Sequence, residues 1–94
     1  ETVAGRLEDK NLPDDVEEKI EATAKSVKGV VDLHELKTRR EGPGIIMEGH
    51  LVLDSEISLK EAHDISKKVE ESLRKEFGTE TQISLHLEPE DDAE

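Results

Sequence analysis

The period of the apolar positions switches repeatedly along this chain, and each switch marks a new element. In "LPDDVEEKIEATAKSV", Val16, Ile20, Ala24 and Val27 recur at helical spacing, which predicts an amphipathic helix. Pro13 suits the first turn, where its missing N–H is no loss, and Asp14 and Asp15 suit the positive end of the helix dipole. Gly29 is expected to stop it. "VVDLHELKTRR" and "GIIMEGHLVLD" read as two strands joined by "REGPG", a turn by composition, and together predict a β-hairpin. In the second strand Met47, Gly49, Leu51 and Leu53 share one parity and are assigned to the core. Ile46, Glu48, His50 and Val52 share the other and are assigned to an open face. "SLKEAHDISKKVEESLRKEF" is the longest helix. Ser58 and Glu61 fit a capping box, and Gly78 ends the helix. Leu59, Ala62, Val69, Leu73 and Phe77 lie along one apolar stripe with Ile65 beside it. "TQISLHLEP" is a third strand, with Ile83, Leu85 and Leu87 inward and Gln82, Ser84, His86 and Glu88 outward.

The order α-β-β-α-β predicts an α/β (α+β) fold: an open-faced sandwich with a three-stranded mixed sheet and two helices on one face. The closing β-α-β unit is expected to make a right-handed crossover, with the third strand parallel to the second. The other sheet face stays open. Residues 1–12 read as a linker, 13–89 as the folded domain, and 90–94 as a disordered acidic tail. The chain opens on Glu1 and not on Met, and is read as a piece of a longer protein.

Composition narrows the function. With 32% hydrophobic and 40% charged residues, the 94-residue chain can build only a modest core, of the kind that partner chains or metal ions often support. A net charge of −12 argues against nucleic acid or an anionic membrane surface as partner, because phosphate contacts need clustered Lys and Arg. The same charge is compatible with cation binding. Without cysteine there is neither a disulfide framework nor a thiolate metal site. No apolar run approaches the ~18 residues of a membrane span. No Ser/His/Asp order, phosphate-binding glycine loop or buried acid pair stands out, so an enzyme is not expected.

The four histidines carry the candidate chemistry. If the hairpin turn centres on Gly42, opposed residues have numbers summing to 84, a condition met by His34 and His50. Directly opposed residues hold their Cβ atoms about 4.5–5.5 Å apart. His86 faces outward on the third strand, and Glu88, two residues on, shares its face. A third strand beside the second aligns His34, His50, His86 and Glu88 as neutral imidazoles with a carboxylate, a donor set suited to Zn²⁺ or another first-row divalent ion. A single histidine on a polar strand is ordinarily only a surface histidine; the convergence of several is what points to metal. His63 lies on the long helix, off its apolar stripe, where a partner chain could bring it to the strand histidines.

The segments "HELKTRREGP", "GHLVLD", "SLKEAH" and "LHLEP" resemble the carboxy-terminal cytoplasmic domain of the cation diffusion facilitator family of divalent-metal transporters, most often of zinc. The resemblance covers residues 13 to 89, and all four histidines fall on the family's histidine positions. Glu35 stands where Asp is usual, Lys37 where Arg is usual, and Glu88 where some members have Asp. "LEDKNLP" resembles the segment that links the last membrane helix to this domain, and Asp9 matches a linker acid there. The resemblance implies a ferredoxin-like, metallochaperone-like fold and a homodimer with metal sites at or near the subunit interface. It carries His34, His50, His63, His86 and Glu88 over as candidate ligands, for Zn²⁺ or other divalent transition metals.

The expected function is therefore that of a cytoplasmic regulatory and dimerisation domain, attached to the transmembrane domain of a divalent metal efflux transporter in the cytoplasmic membrane. Metal ions would tighten the dimer and bias transport. The alternatives are a free-standing metal-binding or delivery module and a purely structural dimerisation domain.

Overall fold

A computed structural model describes residues 12–90. Of the expected linker 1–12, residues 1–11 with Asp9 lie outside the described residues, as do residues 91–94 of the expected tail 90–94. The chain runs α1 (Asp14–Lys25), β1 (Val30–Glu41), β2 (Gly44–Leu53), α2 (Leu59–Phe77) and β3 (Gln82–Pro89). The sheet order is β1-β2-β3; β1 and β2 pair antiparallel, and β3 pairs parallel to β2. This is the expected α-β-β-α-β fold, with the hairpin followed by a parallel return through α2. No helix among the described residues is long and apolar enough to cross a membrane.

The core lies between the helices and one face of the sheet. Ile20 and Ala24 of α1, Leu33 of β1, Met47 and Leu51 of β2, and Val69 and Leu73 of α2 are almost wholly shielded from solvent. Leu12 joins them. Its N–H donates to the Thr38 hydroxyl at 2.7 Å, and that hydroxyl donates to the Glu17 carboxylate at 2.8 Å. Thr38 is itself buried, so the chain tying α1 to β1 is polar but satisfied. Thr38→Val keeps the shape and removes the acceptor, leaving the Leu12 N–H without this partner. A loss of about 1–3 kcal/mol is expected, read as a lower urea midpoint. An unchanged midpoint would mean that water substitutes for the hydroxyl.

Several sequence expectations shift. Pro13 is the N-cap residue, just ahead of the first turn. α1 ends at Lys25 with Ser26 as C-cap, before Gly29. A last tight turn, Val27 N–H to Ala24 C=O, follows. On α2 the capping box forms as expected: Ser58 Oγ accepts from the Glu61 N–H, and the Glu61 carboxylate accepts from the Ser58 N–H. Leu59, however, is 86% exposed, because the first residue of the helix lies beyond the end of the sheet-facing stripe. Val52, assigned to the open face, is buried. It sits on the central strand between Asp32 and Glu88 in register and stands apart from the main core cluster.

The hairpin register departs most informatively. From Glu41↔Gly44 to Lys37↔Glu48 the paired numbers sum to 85, which puts a two-residue Gly42-Pro43 turn at the tip. Between Lys37 and His34 the register slips by one, and from His34↔His50 to Asp32↔Val52 the sum is 84. The slip is a β-bulge: β1 carries Glu35 and Leu36 where β2 carries Gly49. His34 and His50 do face each other as expected, but the bulge sets that pairing, and the turn does not centre on Gly42. Gly49 lies opposite the bulge, beneath Leu33 and Leu36. A Cβ there would stand 3.1 Å from Leu33 Cδ1, a tight contact that the leucine would have to ease by a few tenths of an ångström, and 3.5 Å from Leu36 Cδ1, an ordinary one.

Candidate metal centre

One row of the sheet gathers the site. His34 of β1, His50 of β2 and His86 of β3 are mutually in register. The His34 and His50 ring centroids lie 5.4 Å apart, tilted by 47°, and the His50 and His86 rings stack with centroids 5.4 Å apart at 26°. Glu88 is level with Val52, one same-face step beyond this row. Its side chain is long enough to reach back: one carboxylate oxygen lies 3.1 Å from His34 Nε2, and the other contacts His50 Nδ1. The Glu88 carboxylate thus spans both imidazoles, one oxygen to each.

His34, His50 and Glu88 each offer a ligand atom, and the three atoms lie within 4.8 Å of one another. They come from three different strands, so the sheet fixes their spacing with little freedom left to lose on binding. Their side chains are 23–31% exposed: open enough for an ion to enter from solvent, covered enough to strengthen its interactions above those in bulk water. Two imidazole nitrogens and a carboxylate are donors of the kind that could hold a first-row divalent ion. His86 is exposed and outside this three-atom group, although it stacks on His50. His63 is exposed on α2 and belongs to no such group among the described residues. Of the five residues singled out in the sequence, the fold therefore brings three to one point, sets a fourth beside them and leaves the fifth apart.

The electrostatics follow from the same contacts. The hydrogen bond to Glu88 holds the pKa of His50 above its ordinary 6.5; partial burial opposes this, and the charges of Glu88 and Glu35 add to it. The hydrogen bond from His50 holds Glu88 below its ordinary 4.5, with His34 contributing in the same direction. Glu35 is a participant that periodicity did not reveal. Its carboxylate oxygens lie 3.5 Å from His50 Nε2 and 3.9 Å from His34 Nδ1, the ring nitrogens turned away from Glu88. Simple alternation would put residue 35 on the face opposite His34; the bulge returns it to the same side.

A family model described as the cytoplasmic domain of cation efflux proteins matches residues 12–90. The cation-efflux pump FieF of Pectobacterium atrosepticum is 36% identical over 83 residues, covering 88% of this chain and 27% of that protein. Protein p34 of Rickettsia rickettsii is 34% identical over 83 residues, with the same coverage of 88% and 27%. The chain thus spans about a quarter of the length of the curated relatives it matches. Among solved structures, the Zn form of CzrB, a candidate zinc transporter, superposes with a TM-score of 0.77 at 32% identity, covering 89% of this chain and 96% of that one. The cadmium form of the MamM carboxy-terminal domain variant D249E gives a TM-score of 0.73 at 23% identity, over 81% and 95% of the two chains, a likeness of fold. Residues matched from Leu12 to Glu90, a shared α-β-β-α-β architecture and a relative of more than one-third identity agree, and the chain belongs to the family of cation efflux protein cytoplasmic domains.

Proposed function

We propose that this domain binds divalent ions, with zinc preferred, at His34, His50 and Glu88, and thereby regulates an attached transmembrane transporter as a homodimer. The observation that carries the reading is the convergence of His34 Nε2, His50 Nδ1 and both Glu88 oxygens from three strands. The likeness to CzrB in its Zn form supports the choice of ion. A tetrahedral ion held by three residues has a fourth position to fill. Water can take it, and so can the exposed His63 of a second copy; His86 lies close enough to His50 to extend the site to a second ion. At −12 per chain, two copies repel each other, and every divalent ion bound between or beside them adds two positive charges. Binding therefore favours closure of the dimer over its open form. In the transporter, closure would bias the membrane helices to which the domain is joined.

Protons and metal compete for the same atom, which makes the test sharp. The raised pKa of His50 means that its contribution to stability in the metal-free domain is fully present below 6.5 and is lost as pH rises through the raised value. The lowered pKa of Glu88 means that its contribution is present above 4.5 and is lost only as pH falls through the lowered value. Metal-free, the pair is worth most between those two limits. An ion must displace the His50 proton. Its apparent affinity is therefore expected to be higher at pH 8 than at pH 6.5, to decline already above 6.5, and to be at least tenfold weaker at pH 5.5 than at pH 8. Calorimetric titration with Zn²⁺ at the three pH values, with sedimentation to follow the dimer, measures this. Equal affinity at pH 8 and pH 5.5 would exclude histidine ligation.

A further inference from the structure

Glu35 occupies a backbone conformation that its residue type disfavours. Its φ is +53°, and it is the one non-glycine residue with positive φ among the described residues. Left-handed positions are taken readily by Gly and by Asn or Asp, whereas for other residues the Cβ crowds the backbone. This position is the bulge itself, where β1 inserts an extra residue opposite Gly49. Nothing in the packing asks for a long acidic side chain there: Glu35 is 63% exposed, and its contacts are with His34 and His50. Strain kept at an exposed residue whose contacts lie in a ligand cluster is a pointer to function.

The geometry separates Glu35 from the ligands. Glu88 faces His34 Nε2 and His50 Nδ1, while Glu35 faces His34 Nδ1 and His50 Nε2. The two carboxylates thus lie on opposite edges of the imidazole pair, and Glu35 does not belong to the three-atom group that can converge on one ion. When a ring nitrogen is given to a metal, the remaining ring proton sits on the other nitrogen. Metal-ligating histidines regularly donate that N–H to a carboxylate or carbonyl, which fixes the ring and raises its basicity. On His50 that nitrogen is Nε2, 3.5 Å from Glu35 Oε1.

We infer that Glu35 is a positioning residue for the metal centre: the bulge exists to carry its carboxylate round to the outer edge of His34 and His50, where it holds both rings with their Glu88-facing nitrogens free for the ion. The inference rests on the proposed metal site. It accounts for three features together: the register slip, the left-handed backbone at a glutamate, and the glycine opposite it.

The test uses the purified chain with Zn²⁺ alone as the probe. Glu35→Gly relieves the backbone and removes the carboxylate; Glu35→Ala removes the carboxylate and keeps the backbone demand. Both are expected to weaken Zn²⁺ binding by ~10–100-fold, the usual effect of losing such a partner. The thermal midpoint of metal-free Glu35→Gly should equal or exceed that of the parent. A second readout is the imidazole N–H proton resonance of His50 in the Zn²⁺-loaded protein. It should be slow to exchange with water in the parent and fast in both variants, a change that a purely structural role for Glu35 would not produce. Parent-like Zn²⁺ affinity in both variants, or an equally protected His50 N–H, overturns the inference. His50→Ala serves as the reference: if it too binds Zn²⁺ like the parent, the metal site itself is wrong, whereas its failure beside intact Glu35 variants removes only the role of Glu35.

Discussion

Glu88→Ala is expected to reduce Zn²⁺ affinity more than any other single substitution in this domain, by well over the ~10–100-fold lost with an outer partner. Glu88 is the one member of the three-atom group that contacts both of the others, one carboxylate oxygen to His34 Nε2 and one to His50 Nδ1. Its removal deletes a ligand atom, the negative charge nearest the ion and the group that orients two further ligands. What remains is a pair of tilted imidazoles whose centroids lie 5.4 Å apart, without an anchor on the third strand. Glu88→Gln separates these contributions: it keeps the reach and the hydrogen bonding but not the charge, and should fall between the parent and Glu88→Ala. His63→Ala should leave the site within one protomer intact and alter only metal stoichiometry or dimer closure. Competition calorimetry against a chelator of known affinity measures all three. A parent-like constant for Glu88→Ala would show that the ion sits elsewhere.

How far the sequence carries such an argument depends on how local the determining signal is. Element types were legible because each rests on a short periodic stretch: the i, i+4 apolar spacing of α1, the Ser58–Glu61 capping box of α2, the alternation at the start of β3, which fails at Leu87, assigned inward but 40% exposed. Opposition of His34 and His50 was legible too, although by a route the structure revises. The tip register and the bulge shift the pairing in a way that restores the same partner. Parity has a period of two, so a single inserted residue moves every side chain beyond it to the other face. Glu35 was hidden for that reason; the signal that could have found it is Gly49, an unexpected gap in the inward row of an otherwise apolar strand. Leu59 was misplaced because helical spacing does not say where the sheet beneath a helix ends, and Val52 because a central strand can cover a residue on either face. The reach of Glu88 from the level of Val52 back to the histidine row depends on a side-chain conformation that no one-dimensional pattern records.

The second large effect is expected in the core beneath the metal centre. Leu51 is wholly buried on the central strand, between Leu33 on β1 and Leu87 on β3, and follows His50 directly. Leu51→Ala removes transfer free energy and leaves a cavity that a sheet anchored on both sides cannot readily close, a cost of about 2–5 kcal/mol. At the usual 0.05–0.15 kcal/mol per residue, a unit of this size has roughly 4–12 kcal/mol in total. The variant therefore loses a large share of its stability and is expected to be partly unfolded at 37 °C without metal. Because neither ring nor carboxylate is altered, the folded fraction should still bind Zn²⁺. An ion that binds only the native state restores about 2.7 kcal/mol when supplied at a hundred times its dissociation constant. Urea titrations with and without Zn²⁺ should show the variant's midpoint far below that of the parent, the slope unchanged, and a metal-induced recovery in free energy equal to the parent's. A cost below about 1 kcal/mol would mean that the sheet collapses onto the cavity more easily than its packing suggests. A loss of metal-induced recovery would show that Leu51 sets the position of His50 as well as the stability of the fold.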